Sequence, residues 1–213
     1  MAIGHAFGAV RNRVRGTPLG AVRDGRGALA LLSPGALSDT RAHDIAELVL
    51  AEITDFLGTS QPVRMGVGAE VDDLTTAWQS HHQADLAVRA VPILGAGPIA
   101  HWGSLGALQL LLRIPAAEMS AAFVPAAITA VREADASGRL VETLERYLRC
   151  GGSGAATAAT MHIHRTTLYY RLDRIREITG LDIDDGDARL HLHLGLVAHR
   201  MVEQTGRDPD SSG

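Results

Sequence analysis

Residues 155–179, AATAATMHIHRTTLYYRLDRIREIT, decide how the second half of the chain folds. Leu168, Leu172 and Ile175 stand at i, i+4 and i+7, so at about 100° per residue they form one apolar stripe on a helix that starts near Arg165. The opposite face carries Thr166, Tyr169, Tyr170, Asp173 and Arg174, with Arg165, Arg171 and Arg176 on its flanks. Ahead of it, Ala155, Ala156, Ala158 and Ala159 make a short helix with little side-chain bulk, which lets a second helix cross it closely. Met161 and Ile163 bracket the turn. This spacing predicts a helix-turn-helix whose outward helix offers hydroxyls, aromatic rings and guanidinium groups to a nucleic-acid groove.

Working outward, the totals set limits. A chain of 213 residues that is 46% hydrophobic can bury one good core or two small ones, and the compositional break after residue 139 favours two. A formal net charge of -4 excludes wholesale polyanion binding, so any contact with DNA must rest on a local patch. Arg146 to Arg176 supplies one, with Arg146, Arg149, Arg165, Arg171, Arg174 and Arg176 against the single acid Asp173. Every basic residue is Arg and none is Lys, and Arg makes bidentate contacts to phosphate or guanine that Lys cannot. The lone Cys150 cannot form an internal disulfide, which makes a reducing cytoplasm the expected location. No signal peptide is visible at the N-terminus, and the greasiest region, Leu105 to Val131, is interrupted by Arg113, Pro115, Glu118 and Pro125. It is too broken for a membrane span, so no membrane partner is expected.

Upstream, the chain reads as strands alternating with helices. Residues 1–26 show little periodicity, with Val10–Val14 and Leu19–Arg23 as short strands at best. Gly27–Ser33 reads as a buried strand ended by Pro34-Gly35. Ser38 or Asp39 can cap a helix from Thr40 to Leu57 that buries Ile45, Leu48, Val49, Ile53 and Phe56, and Gly58 closes it. Val63–Val71 alternates as a second strand. Asp72-Asp73 caps a helix from Leu74 to Val91 with Leu74, Ala77, Trp78, Ala84, Leu86 and Val88 inward. Ile99–Trp102 is a short strand and Leu105–Ile114 a helix. This order predicts an α/β (α+β) N-terminal domain at 27–115. A helical linker at 116–139 follows, broken before Pro125 and hinged at Ser137-Gly138. An all-α unit at 140–203 comes next. It opens on a helix from Leu140 to Cys150 with Leu140, Leu144, Tyr147 and Leu148 inward. An aspartate of the 182–185 loop caps its last helix, Asp187–Val202, with a stripe of Leu190, Leu194, Val197 and Met201. Residues 204–213 read as a disordered tail.

The run His164-Arg165-Thr166-Thr167-Leu168-Tyr169-Tyr170-Arg171-Leu172 resembles the H-R-N-T-L-x-Y-R-L signature of the C-terminal helix-turn-helix in PucR/CdaR-type bacterial transcription regulators, itself similar to the DNA-binding end of Fis. The resemblance extends from Leu140-Val141-Glu142-Thr143-Leu144 to Thr179-Gly180-Leu181-Asp182 and the last helix, roughly 65 residues. Thr166 stands where the family usually has Asn, a hydroxyl in place of an amide able to pair bidentately with adenine. Residues from Gly66-Val67-Gly68 through Trp78, Ala84 and Leu86-Ala87 to Leu110-Leu111-Leu112 are similar to the GGDEF-like central domain of the same regulators. Regulators of this kind generally carry a further N-terminal sensory domain. Here only about 26 residues precede the first convincing strand, so the resemblance implies either lost signal input or a fragment of a longer protein.

Other chemistry finds little footing. A nucleotide cyclase needs an acidic G-G-D/E-E-F turn, which this sequence lacks, so the GGDEF-like domain is expected to be noncatalytic. Gly66-Val67-Gly68 lacks the third glycine of a dinucleotide fingerprint, and no lysine-containing phosphate loop exists. The histidine pairs 81/82, 162/164 and 191/193 do not converge as i, i+4 ligands, so neither metal nor cofactor is expected. The resemblance therefore implies a sequence-specific regulator of double-stranded DNA, acting as a homodimer, with its effector unknown. Thr166, Tyr169 and Tyr170 would meet base edges and methyl groups. His164, Arg165, Thr167, Arg171 and Arg174 would bind phosphate or guanine. The alternative is a noncatalytic protein-interaction or effector-binding scaffold whose helix-turn-helix has lost DNA.

Overall fold

The computed structural model describes residues 17–23, 26–32, 38–58, 63–115 and 118–205, together with Gly8 and Gly35. It divides into one unit up to Arg113 and a second from Ile114. The first unit opens on an antiparallel hairpin of β1 (Thr17–Arg23) and β2 (Arg26–Leu32). The domain therefore starts earlier than residue 27, and Leu19–Arg23 belongs to a paired strand. Asp24-Gly25 lies between the strands, and an Asp-Gly pair is a strong hairpin signal that the expected boundary overlooked. The Val10–Val14 strand expectation falls outside the described residues, as does all of the tail beyond Thr205. β2 is half-buried rather than buried, with Leu29 packed against Val49 and Ile53 of α1 (Asp39–Leu57).

α1 is capped as its sequence suggests. The Ser38 hydroxyl accepts from the Arg41 N–H at 3.3 Å, and Gly58 at φ 65° ends the helix by donating to the Thr54 carbonyl. β3 (Met65–Val67) and β4 (Ile99–His101) pair in parallel around α2 (Ala77–Leu94). Only three residues of the expected Val63–Val71 strand pair, Met65 to Val67, and the glycines within and after them serve packing. A Cβ on Gly66 would lie 1.9 Å from the Ala84 carbonyl oxygen, and one on Gly68 would lie 2.0 Å from that of Ser80. The Gly-Val-Gly step thus brings strand and helix backbones together around Leu86, Ala87, Ala90 and Val91. Trp78 is 65% exposed, and Leu74 and Phe56 also face outward, contrary to their expected inward placement. Trp102 fills that role instead, buried with the Arg113 guanidinium 5.6 Å from its ring centroid. α3 (Leu108–Leu112) completes the unit.

The second unit is all helical. α4 (Ala126–Ala134), α5 (Arg139–Arg149), α6 (Gly154–Met161), α7 (Arg165–Thr179) and α8 (Gly186–Thr205) surround one core. The expected linker at 116–139 is not a linker. Ile128 and Val131 of α4 are buried with Leu144, Leu168, Leu172, Ile175 and Leu192, so the core reaches back before residue 140. Ser137-Gly138 is not a free hinge, because Asp135 accepts from the Ser137 N–H at 2.9 Å and from the Leu140 N–H at 2.7 Å, fixing the start of α5. Gly195 lets α4 approach α8, since a Cβ there would lie 2.9 Å from Ile128 and Pro125. The stripe on α8 is rotated from the expected one. Leu192 and Leu196 enter the core, Leu190 is 55% exposed, and of the expected four only Met201 is buried. Asp185 supplies the cap of α8, its carboxylate accepting from the Ala188 N–H at 2.9 Å.

Candidate nucleic-acid interface

α6 and α7 form the expected helix-turn-helix. The Ser153 hydroxyl caps α6, and Thr157 and Ala158 bury its inner face. The chain reverses through His162, which adopts φ 54°, a left-handed conformation few non-glycine residues take. His164 then caps α7, its Nδ1 accepting from the Thr166 N–H at 3.3 Å and lying 3.1 Å from the Thr166 hydroxyl. The cap is the role that the structure gives His164. Leu168, Leu172 and Ile175 are completely buried, which fixes the helix in rotation. Burying three large aliphatic side chains contributes about 5–8 kcal/mol before entropy is counted, enough to hold one face outward.

The face so exposed contains Arg165, Thr166, Thr167, Tyr169, Tyr170 and Arg174, while Arg171 is half-buried. Tyr170 is 73% exposed and points away from the core line. Tyr169 is 50% exposed and rests on α6, where a Cβ on Gly154 would lie 2.8 Å from its hydroxyl. Gly154 carries no local signal in the sequence, because its role depends on a ring fifteen positions away in the chain. Arg171 donates from Nη1 to the buried Thr143 hydroxyl of α5 at 3.1 Å, which leaves its other guanidinium donors for an external oxygen.

Charge is unevenly divided along the helix. Arg174 pairs with Glu177 at 2.9 Å, and Arg176 bridges Asp173 at 2.7 Å and Asp184 at 2.8 Å. Arg149 pairs with Glu145, which also holds Arg200. Much of the arginine excess counted between 146 and 176 is therefore neutralised by acids just outside that window. Arg165 and Arg171 have no acidic partner among the described residues. Asp184 also accepts from the Tyr147 hydroxyl at 2.7 Å, tying α5, the loop before α8 and α7 together. Burial and this bond push the Tyr147 hydroxyl up to about 12. The Tyr147 hydrogen bond, then Arg176, hold the Asp184 carboxyl below the usual carboxylate range. Among the described residues, no three His, Cys, Asp or Glu side chains converge to hold a metal ion, and no helix is long and apolar enough to cross a membrane.

A small α/β unit followed, among the described residues, by five α-helices built on a helix-turn-helix defines the class. Two family models match in that order: a GGDEF-like domain over residues 4–90 and the PucR C-terminal helix-turn-helix domain over residues 140–198. The chain therefore carries a GGDEF-like domain ahead of a PucR-type helix-turn-helix domain, and is similar in both to PucR/CdaR-type bacterial regulators. It is 45% identical over 62 residues to the carbohydrate diacid regulator of Escherichia coli strain K12, covering 29% of this chain and 16% of that one. It is 28% identical over 143 residues to the proline-responsive transcriptional activator PutR of Bacillus subtilis strain 168, covering 64% of this chain and 34% of that one. It is 32% identical over 63 residues to the purine catabolism regulatory protein of the same strain, covering 30% and 12%. The chain thus spans about a third or less of the length of the curated relatives it matches.

Proposed function

We propose that this chain is a sequence-specific, DNA-binding transcriptional regulator that works in the cytoplasm and inserts the N-terminal half of α7 into the major groove. The observation that carries the reading is the outward face of α7. Tyr170 and Arg165 stand exposed there on a helix locked in place by Leu168, Leu172 and Ile175. Helix-turn-helix proteins use the N-terminal residues of the second helix to reach base edges, and here that end is the one with unpaired cationic and aromatic groups. Thr166, Tyr169 and Tyr170 would meet bases. Arg165, Thr167 and Arg171 would hold phosphate or guanine, with His164 shaping the helix end. Arg174 would join them only by loosening its pair with Glu177.

One such module touches few base pairs, so a homodimer reading two half-sites about 34 Å apart is part of the proposal. The GGDEF-like unit supplies spacing or dimerisation and no catalysis. Fluorescence anisotropy of the full chain on fragments of its own genome, run as a salt series, tests the reading. Nanomolar binding to a subset of fragments with a steep salt dependence is expected. Uniformly weak binding to every fragment at low salt would favour the interaction-scaffold alternative.

A further inference from the structure

The outward line of α7, opposite the buried Leu168, Leu172 and Ile175, runs through Thr166, Tyr170, Asp173 and Glu177. Its members differ in what they can offer a base. The Thr166 hydroxyl lies 3.1 Å from His164 Nδ1, which engages its polar end in the helix cap, so its methyl group is the part left to offer a base. Tyr170 presents a ring that is 73% exposed. Asp173 and Glu177 carry carboxylates already occupied by Arg176 and Arg174, and both would repel phosphate if released. The helix contains no Asn or Gln, so the bidentate reading of adenine through an amide has no donor here.

We propose, resting on the DNA-binding reading above, that Tyr170 together with the Thr166 methyl reads the C5-methyl group of a thymine, and that base reading along this outward line stops at Tyr170. Methyl recognition asks for an apolar surface standing in the groove, and Tyr170 is the largest such surface on this line. Tyr169 is not its equal, because its ring lies over Gly154 on the flank toward α6. The half-site selected by one protomer is then short and centred on thymine, with no contribution from positions facing Asp173 or Glu177.

The test is selection by the full chain from random-sequence duplexes prepared with dTTP and, in parallel, with dUTP, which lacks only the methyl group. Selection of a fixed thymine per half-site from the first pool is expected, with no preference at that position from the second. Replacing that thymine by deoxyuridine in the selected duplex should weaken binding about fourfold, the loss expected for one buried methyl group. Tyr170→Phe keeps the ring and should keep the thymine preference. Tyr170→Ala should bind both duplexes equally, and a melting curve matching the parent's excludes loss of fold at this exposed position. Equal parental affinity for thymine and deoxyuridine duplexes, or a thymine preference retained in Tyr170→Ala, would overturn the proposal while leaving DNA binding intact. Failure to retain any duplex from either pool would overturn the DNA-binding reading and this one with it.

Discussion

The two halves of α7 are built from similar residues and do opposite things with them. Arg165, Thr166 and Tyr170 in the first half make their polar bonds locally or not at all, so their outer surfaces are available. Arg174 and Arg176 in the second half are each paired with acids of α7 or of the following loop. An arginine count along the sequence weighs both halves alike. Pairing separates them, because an exposed ion pair holds its arginine in place while cancelling the long-range field that draws in a polyanion.

Both halves depend on the same buried stripe, so the largest effect should come from its middle. Leu172 is completely buried between them, and Leu172→Ala should cost about 3–4 kcal/mol, from lost transfer energy plus the cavity left behind. Chemical denaturation of the second unit checks this, and a loss below about 1 kcal/mol would mean that the helix is not anchored there. The next effect separates the halves. Arg165→Ala should weaken binding to a selected duplex by about 1–3 kcal/mol and lower the salt slope by about one unit, with stability unchanged. Arg174→Ala should do much less on both measures. Equal losses would mean that ion pairing does not divide the helix.

This division marks the limit of what the sequence reveals. The spacing of Leu168, Leu172 and Ile175 identifies the buried face, and Ser38 and Gly58 mark the ends of α1, because both signals are local. Arg171 to Thr143 is a bond across 28 positions, and Tyr147 to Asp184 spans 37, so neither leaves a periodic trace. α8 misleads for another reason. Its run Leu190-His191-Leu192-His193-Leu194 puts leucines on both faces, and only packing against α4 and α5 selects Leu192 and Leu196. Residues 116–139 read as a linker for a related reason, since the alanine-rich composition of α4 hides the two large side chains, Ile128 and Val131, that enter the core.

The Tyr147–Asp184–Arg176 bridge offers a pH test of how the second half is held. Asp184 has a lowered folded-state pKa, so its contribution is present above the ordinary carboxylate value near 4 and is lost as pH falls through the folded value. Tyr147 is raised to about 12, so its contribution is full below its ordinary value and is lost as pH rises from about 10 toward about 12. Asp184→Asn should therefore flatten the acid limb of the stability profile, and Tyr147→Phe the alkaline limb. A stability profile for either variant that parallels the parent's at the corresponding extreme would show that the bridge does not form in solution.

The smallest expected effect is also the sharpest test of the comparison, because it adds function instead of removing it. Glu177 is exposed at the end of the outward line, and its partner Arg174 is exposed as well, so the pair contributes roughly 0.3–0.5 kcal/mol to the helix. Glu177→Gln keeps the size of the side chain, removes one negative charge from the face turned toward DNA and frees Arg174. Tighter binding to all duplexes by a few-fold, with a salt slope steeper by up to one unit and a melting point within about 2 °C of the parent, is the expected result. The thymine preference assigned to Tyr170 should not change, since Arg174 would gain a phosphate and not a base. A shift in sequence preference without a change in slope would mean that the second half of α7 already reads bases, and the division drawn at Tyr170 would have to move toward Glu177.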